Sequence, residues 1–249
     1  MSEDLKKEVQ EAPLLWPLTP IPTFEEVYDP KICTEASREI STVFEGWLHP
    51  KHEMAKPEAL GQVRVLECGH GGFQVNAMQA GGYFGELGAN VIMIEPPGGS
   101  PLRKLAAFGR KRYMFKDDVN GDLCGGTFLH ECRNKQSITL DLTKEEGRAI
   151  VKKLVIHADV LVENFRPTAM EKMGFGWEAV QKLNPRIIYA AISGFGHDSP
   201  PEYAARPAYD MVAQAYSGLM SITGPVGGPP CRVGSSVGDI IAGQQAAIG

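Results

Sequence analysis

Residues 63–95 read VRVLECGHGGFQVNAMQAGGYFGELGANVIMIE, and the succession of residue types in them decides the fold. Residues 63–68 are a short apolar, β-prone run that stops at Gly69-His70-Gly71-Gly72. A helix follows, ending near Leu87-Gly88-Ala89, and residues 90–95 form a second apolar strand. Strand, glycine turn, helix, strand is a βαβ unit. Its crossover is right-handed and brings the turn to the ligand-facing edge of a parallel sheet.

Further units of the same kind lie downstream. Residues 132–142, CRNKQSITLDL, contain a strand, and Thr143 with Glu146 three residues on forms a capping box for a helix running to about residue 156. Residues 158–163, ADVLVE, are another buried strand, which delivers Asn164-Phe165-Arg166-Pro167 to the sheet edge. Residues 186–192 are a third, ending at Ser193-Gly194-Phe195-Gly196. The expected architecture is α/β, a Rossmann-like parallel sheet with helices on both faces, over residues 61–249. Residues 1–60 are proline-rich with mixed charge and read as an irregular arm with one helix over residues 34–47.

At 249 residues, with 43% hydrophobic and 22% charged, the chain suffices for one sizeable α/β core. No apolar run approaches the ~18 to 20 residues of a membrane span, and the N-terminus lacks the apolar centre of a signal peptide. The 5 cysteines, Cys33, Cys68, Cys124, Cys132 and Cys231, are scattered and form no CxxC pair. They read as reduced, small buried residues in a cytoplasmic protein. His49 and His52 are the one close histidine pair, in a proline-flanked loop, and no metal is expected. The net charge of −5 argues against nucleic acid, yet Arg103, Lys104, Arg110, Lys111, Arg112 and Lys116 fall in one acid-free stretch. Such local basicity suits a small phosphorylated ligand, with a solvated loop as the plain alternative.

A nicotinamide cofactor is the rival use of this fold. It needs G-x-G-x-x-G, and after Gly69 and Gly71 the third glycine position holds Gln74; Glu95 still offers a carboxylate for a ribose.

The last third carries a different signal. Residues 209–220 place Met211, Val212, Ala215, Tyr216 and Leu219 at helical spacing, as for one inward face. Asp239 follows in Val237-Gly238-Asp239-Ile240-Ile241, at the first turn of a helix over residues 240–248. With no acid beside it in sequence, and with the helix dipole favouring its charge, it is expected to stay ionised. An ordinary N-cap is the alternative.

In order along the chain, ENFRP with Glu171-Lys172-Met173-Gly174, then ISGFG, RPAYDMVAQAYSGLMSITG, GGPP-RVG and VGDIIAG resemble the class III (CaiB/BaiF) coenzyme A transferases. The resemblance covers residues 63–249. It implies that Asp239 is the nucleophile that takes an acyl group from an acyl-CoA thioester, with succinyl-CoA as a candidate donor, on the way to a carboxylic acid acceptor. It also implies that Asn164, Phe165, Arg166 and Lys172 contact coenzyme A, that Leu140, Leu142 and Thr143 line its adenine side, and that Arg103 helps hold the nucleotide. Val75 and Asn76 stand beside the place of the family's AGP motif, where this chain reads Asn76-Ala77-Met78 in a longer loop.

Tyr209 occupies a position where related racemases carry histidine. Tyrosine is a poor base at neutral pH, so transferase is preferred to racemase or isomerase, and a core tyrosine is the plain reading. Gly194 and Gly238 are candidates for the oxyanion site. The resemblance further implies a second, smaller domain outside this chain and interlocked dimers. A partner chain or second copy is therefore expected, and a non-catalytic scaffold subunit remains open.

Overall fold

The computed structural model describes residues 59–69, 75–105, 114–116, 123–204 and 206–249. The expected N-terminal arm, its helix, the His49/His52 pair, most of the turn after Gly69, Cys33 and the Arg110–Arg112 cluster lie outside the described residues. Strand β1 (Arg64–Cys68) leads to helix α1 (Val75–Glu86) and β2 (Asn90–Glu95). A small antiparallel pair, β3 (Met114–Lys116) and β4 (Leu123–Gly125), precedes α2 (Gly126–Glu131) and β5 (Lys135–Thr139). Then come α3 (Glu145–His157), β6 (Val160–Glu163), α4 (Ala169–Met173), α5 (Trp177–Leu183) and β7 (Ile188–Ala191). The chain closes with α6 (Pro201–Ala204), α7 (Asp210–Tyr216) and α8 (Val237–Ile248).

The main sheet has 5 strands in the order β5-β2-β1-β6-β7, every pair parallel. The chain begins in the middle, winds outward through β2 to β5, and then reverses to β6 and β7. That reversal opens a crevice beyond the carboxyl ends of β1 and β6, the place where doubly wound sheets hold ligands. Strand residues alternate between two cores, as the period of two requires. Leu66, Cys68, Ile92, Ile94 and Leu161 face Val151, Leu154 and Val155 of α3, together with Met170, Phe175 and Val180. Val65, Val91, Val160 and Val162 face Ala77, Ala80 and Phe84 of α1, with Ala242, Ala246 and Ala247 of α8 packed against them. Helices thus cover both faces. Among the described residues no helix is long and apolar enough to cross a membrane.

The structure corrects three local expectations. No capping box forms at Thr143: its N–H and hydroxyl both donate to Asp141 Oδ1, at 2.9 and 2.6 Å, and α3 starts after an N-cap at Lys144. Asp141 offers a nearer acceptor in a local turn, which competes with the helix cap. Asn76, Ala77 and Met78 are not loop but the first turn of α1, with Ala77 and Met78 fully buried. Of the described cysteines only Cys68 is buried; Cys124, Cys132 and Cys231 are partly exposed.

An ion pair lies under α1. Lys135 Nζ stands 2.8 Å from Glu67 Oε2, both side chains wholly buried, and also donates to the Met78 carbonyl at 2.5 Å. Gly81 is what lets α1 lie over this pair, since a Cβ there would stand 1.7 Å from Glu67 Oε2. Gly81→Ala is therefore expected to lower unfolding stability by about 2 to 4 kcal/mol, through overpacking and loss of the buried pair. Urea denaturation measures this, and a change under about 0.5 kcal/mol would contradict it.

Candidate functional site at the carboxyl edge of the sheet

At the end of β6 the buried carboxyl of Glu163 accepts the Phe165 N–H at 2.7 Å. Burial pushes its pKa up to about 7, against the pull of that hydrogen bond, with Glu171 adding to the rise. Asn164 Nδ2 donates to Ile192 O at 2.7 Å and so ties the end of β6 to the end of β7. Phe165 packs into the α3-side core, which leaves Arg166 exposed. Thr168 closes this loop at φ 71, a left-handed conformation that a β-branched residue adopts only under constraint. Lys172 is exposed on α4, one element further along.

Leu140, buried in the same core, donates its N–H to Glu95 O at 2.9 Å, and Leu142 packs beside it while Thr143 is exposed. The ends of β5 and β6 are three strand spacings apart, about 14 Å. Leu140, Leu142, Thr143, Asn164, Phe165 and Arg166 thus lie along one edge, and Leu140, Leu142 and Phe165 join the α3-side core.

Asp239 belongs to the opposite face. It is the third residue of α8, and its helix is capped from outside: Asp210 Oδ1, at the start of α7, accepts the Gly238 N–H at 2.9 Å. Asp210 Oδ2 accepts Gln214 Nε2 at 2.8 Å, and Arg232 Nη2 stands 3.7 Å away. Gln214, 1% exposed, also takes the Val233 N–H on Oε1 at 2.8 Å and so fixes the segment leading into α8. Among the described residues the half-buried Asp239 carboxyl makes no hydrogen bond or ion pair. Burial pushes its pKa up to about 6, helped by the negative charges of Asp210 and Glu131.

Helix α8 packs against α1. Gly243 meets Asn76 and Gln79 so closely that a Cβ would stand 2.6 Å from Asn76 O, and Gln244 Nε2 donates to Tyr83 Oη at 2.8 Å. Asp239 is one turn before Gly243, which itself packs on the first turns of α1 at its N-terminal end. That is the end fed by the carboxyl terminus of β1.

The sequence and the fold have counterparts among known proteins. Residues 60–249 match the family model described as CoA-transferase family III. The chain belongs to that family. It is 42% identical over 198 residues to a succinyl-CoA–D-citramalate CoA-transferase of Chloroflexus aurantiacus, covering 78% of this chain and 44% of the relative. A succinyl-CoA–L-malate CoA-transferase beta subunit of the same organism is 40% identical over 167 residues, covering 66% and 38%. The crystal structure of a CaiB/BaiF family protein from Brucella suis superposes with TM-score 0.67 at 33% identity, covering 78% of this chain and 50% of that one. The chain spans less than half the length of these two curated relatives.

Within the CoA-transferase fold, several expected site residues have other partners. Arg103 donates to Glu95 from Nε at 2.7 Å and from Nη2 at 2.5 Å, with its guanidinium 4.1 Å from the Phe128 ring centroid. Its first task is to clamp the loop after β2. Glu95 also accepts the Ser100 N–H at 2.7 Å and the Ser137 hydroxyl. Although burial opposes it, these partners hold its pKa down at about 2, and the carboxylate is not free for a ribose. The Gly238 N–H is taken by Asp210 and is not an oxyanion donor. Asp239 is not the N-cap of α8, which is Ser236, and burial with two carboxylates raises its pKa against the dipole to about 6, which still leaves it mostly ionised at neutral pH. Tyr209 is not a core tyrosine; it is the N-cap of α7 and 64% exposed.

The α7 face is reversed: Met211 and Tyr216 are exposed, while Asp210 and Gln214 are buried. Val75 packs toward Met78, Met93, Leu102 and Phe128, and Asn76 Oδ1 accepts the Ala77 N–H at 3.0 Å. Sequence reasoning missed Asp210, Gln214 and Glu131. It also missed Ser193, whose buried Oγ has no hydrogen-bond partner among the described residues. The i, i+4 pair of Asp210 and Gln214 in an apolar helix was the available signal for the first two.

Because the pKa of Asp239 rises on folding from 3.8 to about 6, its ionised form costs stability above pH 6 and nothing below about 4. Asp239→Asn should raise the melting temperature at about pH 7.5, with a gain that shrinks as pH falls through 6 towards 4. Paired thermal melts read it; an equal or negative shift at every pH would contradict the assignment.

Proposed function

We propose that the chain is a CoA-transferase subunit that moves coenzyme A from an acyl-CoA to a carboxylic acid through a covalent intermediate on Asp239. The observation that carries this reading is an unpaired, half-buried carboxyl held at the carboxyl edge of a doubly wound sheet. Succinyl-CoA is proposed as donor because it is named in both reported relatives.

In the first step Asp239 Oδ attacks the thioester carbonyl, the C–S bond breaks, and a mixed anhydride and CoA thiolate form. The thiolate then attacks the aspartyl Cγ, expels the donor carboxylate and leaves an aspartyl-CoA thioester. An acceptor carboxylate attacks Cγ, and the released thiolate takes its acyl carbon, restoring Asp239. No proton need be transferred, and two weak nucleophiles exchange through easier steps. A pKa near 6 leaves Asp239 mostly ionised at neutral pH yet more nucleophilic than an ordinary aspartate.

Arg166, Lys172 and Thr143 would hold the nucleotide, with Asn164 and Phe165 shaping the crossing between β1 and β6. Remote binding energy on the α3 face then places the thioester on the α1 face. We assign the assembly to a partner chain or second copy. Exposed Tyr209, Met211, Tyr216, Ile222, Ile241 and Ile248 on and around α7 and α8 support that, as does a relative named as a beta subunit. The scattered thiols favour a cytoplasmic setting.

Incubation of the chain, with any co-purifying partner, with succinyl-CoA and hydroxylamine should leave a hydroxamate on Asp239 detectable by mass spectrometry. Modification elsewhere, or α-proton exchange with solvent in the absence of an acceptor acid, would overturn the transferase reading. Asp239→Asn should abolish exchange and retain CoA binding. Arg166→Ala should weaken CoA binding about tenfold by loss of a charge-assisted contact; unchanged affinity would remove it from the site.

A further inference from the structure

Four polar side chains from three elements form one chain of hydrogen bonds behind Asp239. Gln244 Nε2 of α8 donates to Tyr83 Oη of α1 at 2.8 Å. Tyr83 Oη, which has one proton to give, donates it to Gln79 Oε1 at 3.0 Å. The Gln79 amide nitrogen, assigned by this network, then donates to Glu131 Oε1 at 3.0 Å and to Oε2. Each link determines the direction of the next, and the chain must end on an acceptor. Glu131, at the end of α2 and 7% exposed, is that acceptor, and Gln79 is 4% exposed. The seam is also tight, since a Cβ on Gly243 would stand 2.7 Å from Gln79 Cβ. Asp239 lies four residues before Gly243, on the same helix face.

We propose that Glu131 is a positioning residue for Asp239: it terminates the hydrogen-bonded seam through Gln79, Tyr83 and Gln244 that fixes α8 on α1. The role rests on the reading of Asp239 as the acyl carrier. The seam also bears on charge. Around Glu131 stand His130 at 3.1 Å on its own helix, Arg133 and Lys135 leading into β5, and Gln79 with Tyr83 on α1. Burial pushes the pKa of Glu131 up while His130, Lys135 and Arg133 pull it down, and in its charged form Glu131 acts on Asp239 from one side. Asp210, near Arg232, acts from the side of α7.

The two contributions separate by substitution. Tyr83→Phe cuts the seam without altering charge. Glu131→Gln keeps an acceptor for Gln79 but removes the charge, and Glu131→Leu removes both. In the full chain with any co-purifying partner, Tyr83→Phe should slow acyl-enzyme formation from succinyl-CoA about tenfold with KM unchanged, because the reacting carboxylate is displaced while the CoA contacts stay. Glu131→Gln should slow it less and move the acid limb of the rate to lower pH. The titration of the Asp239 carboxyl, followed by 13C NMR with aspartate-labelled protein and assigned with Asp239→Asn, should shift the same way. Acyl-enzyme rates and Asp239 titrations in Tyr83→Phe, Glu131→Gln and Glu131→Leu that match wild type would overturn the proposal. If wild type forms no acyl-enzyme, the transferase reading fails while the titration still decides the proposal: a changed Asp239 titration in Tyr83→Phe, which cuts the seam at constant charge, supports it, and an unchanged one refutes it.

Discussion

The contact on which the site depends is the one between the Asp210 carboxylate and the Gly238 N–H. A helix that starts without its own capping side chain must find an acceptor elsewhere, and Ser236 supplies none to α8. Asp210 does so from α7, held in turn by Gln214, which also grips the segment entering α8. The result places one carboxylate as a cap and a second, Asp239, one residue further on, with no partner among the described residues. The first-turn dipole favours ionisation by about 0.3 to 1 kcal/mol, less than one pKa unit. Burial and the two nearby acids move Asp239 further the other way, from 3.8 to about 6. Desolvation wins, and a carboxyl of raised basicity is what acyl transfer through aspartate calls for.

Winding order gives this carboxyl its address. Because the chain starts in the middle of the sheet and reverses between β1 and β6, the connections leaving the paired ends of those strands run to opposite faces, the place where doubly wound sheets hold ligands. Leu140, Leu142 and Phe165 share the α3 side, while Asp239 and α1 share the other. A long, hinged ligand that lies along the first side and passes over the edge near Asn164 reaches the second. Coenzyme A, with a charged nucleotide at one end and a thioester at the other, has that shape.

Much of this was legible in the residues. The strand at Asn90–Glu95 has the expected bounds, and the alternation of Val, Ile and Leu in the strands marks two buried faces. What the sequence hid were contacts between remote segments. Asp210 and Glu131 are 29 and 108 residues before Asp239, and nothing local joins them to it. Arg103 stood in a basic run that suggested phosphate, yet Glu95, eight residues upstream, is buried and captures it. In α7 the apolar period marked a face that stays open in this chain, because Asp210 and Gln214 satisfy each other inward.

Transfer through Asp239 requires the ligand to pass over the sheet edge. A crystal structure of the protein with bound coenzyme A tests it most directly. The nucleotide should lie against Leu142, Thr143 and Arg166, with the thiol across the β1–β6 crevice within reach of Asp239. Coenzyme A bound on another surface, or with its thiol on the α3 side of the sheet, would contradict it.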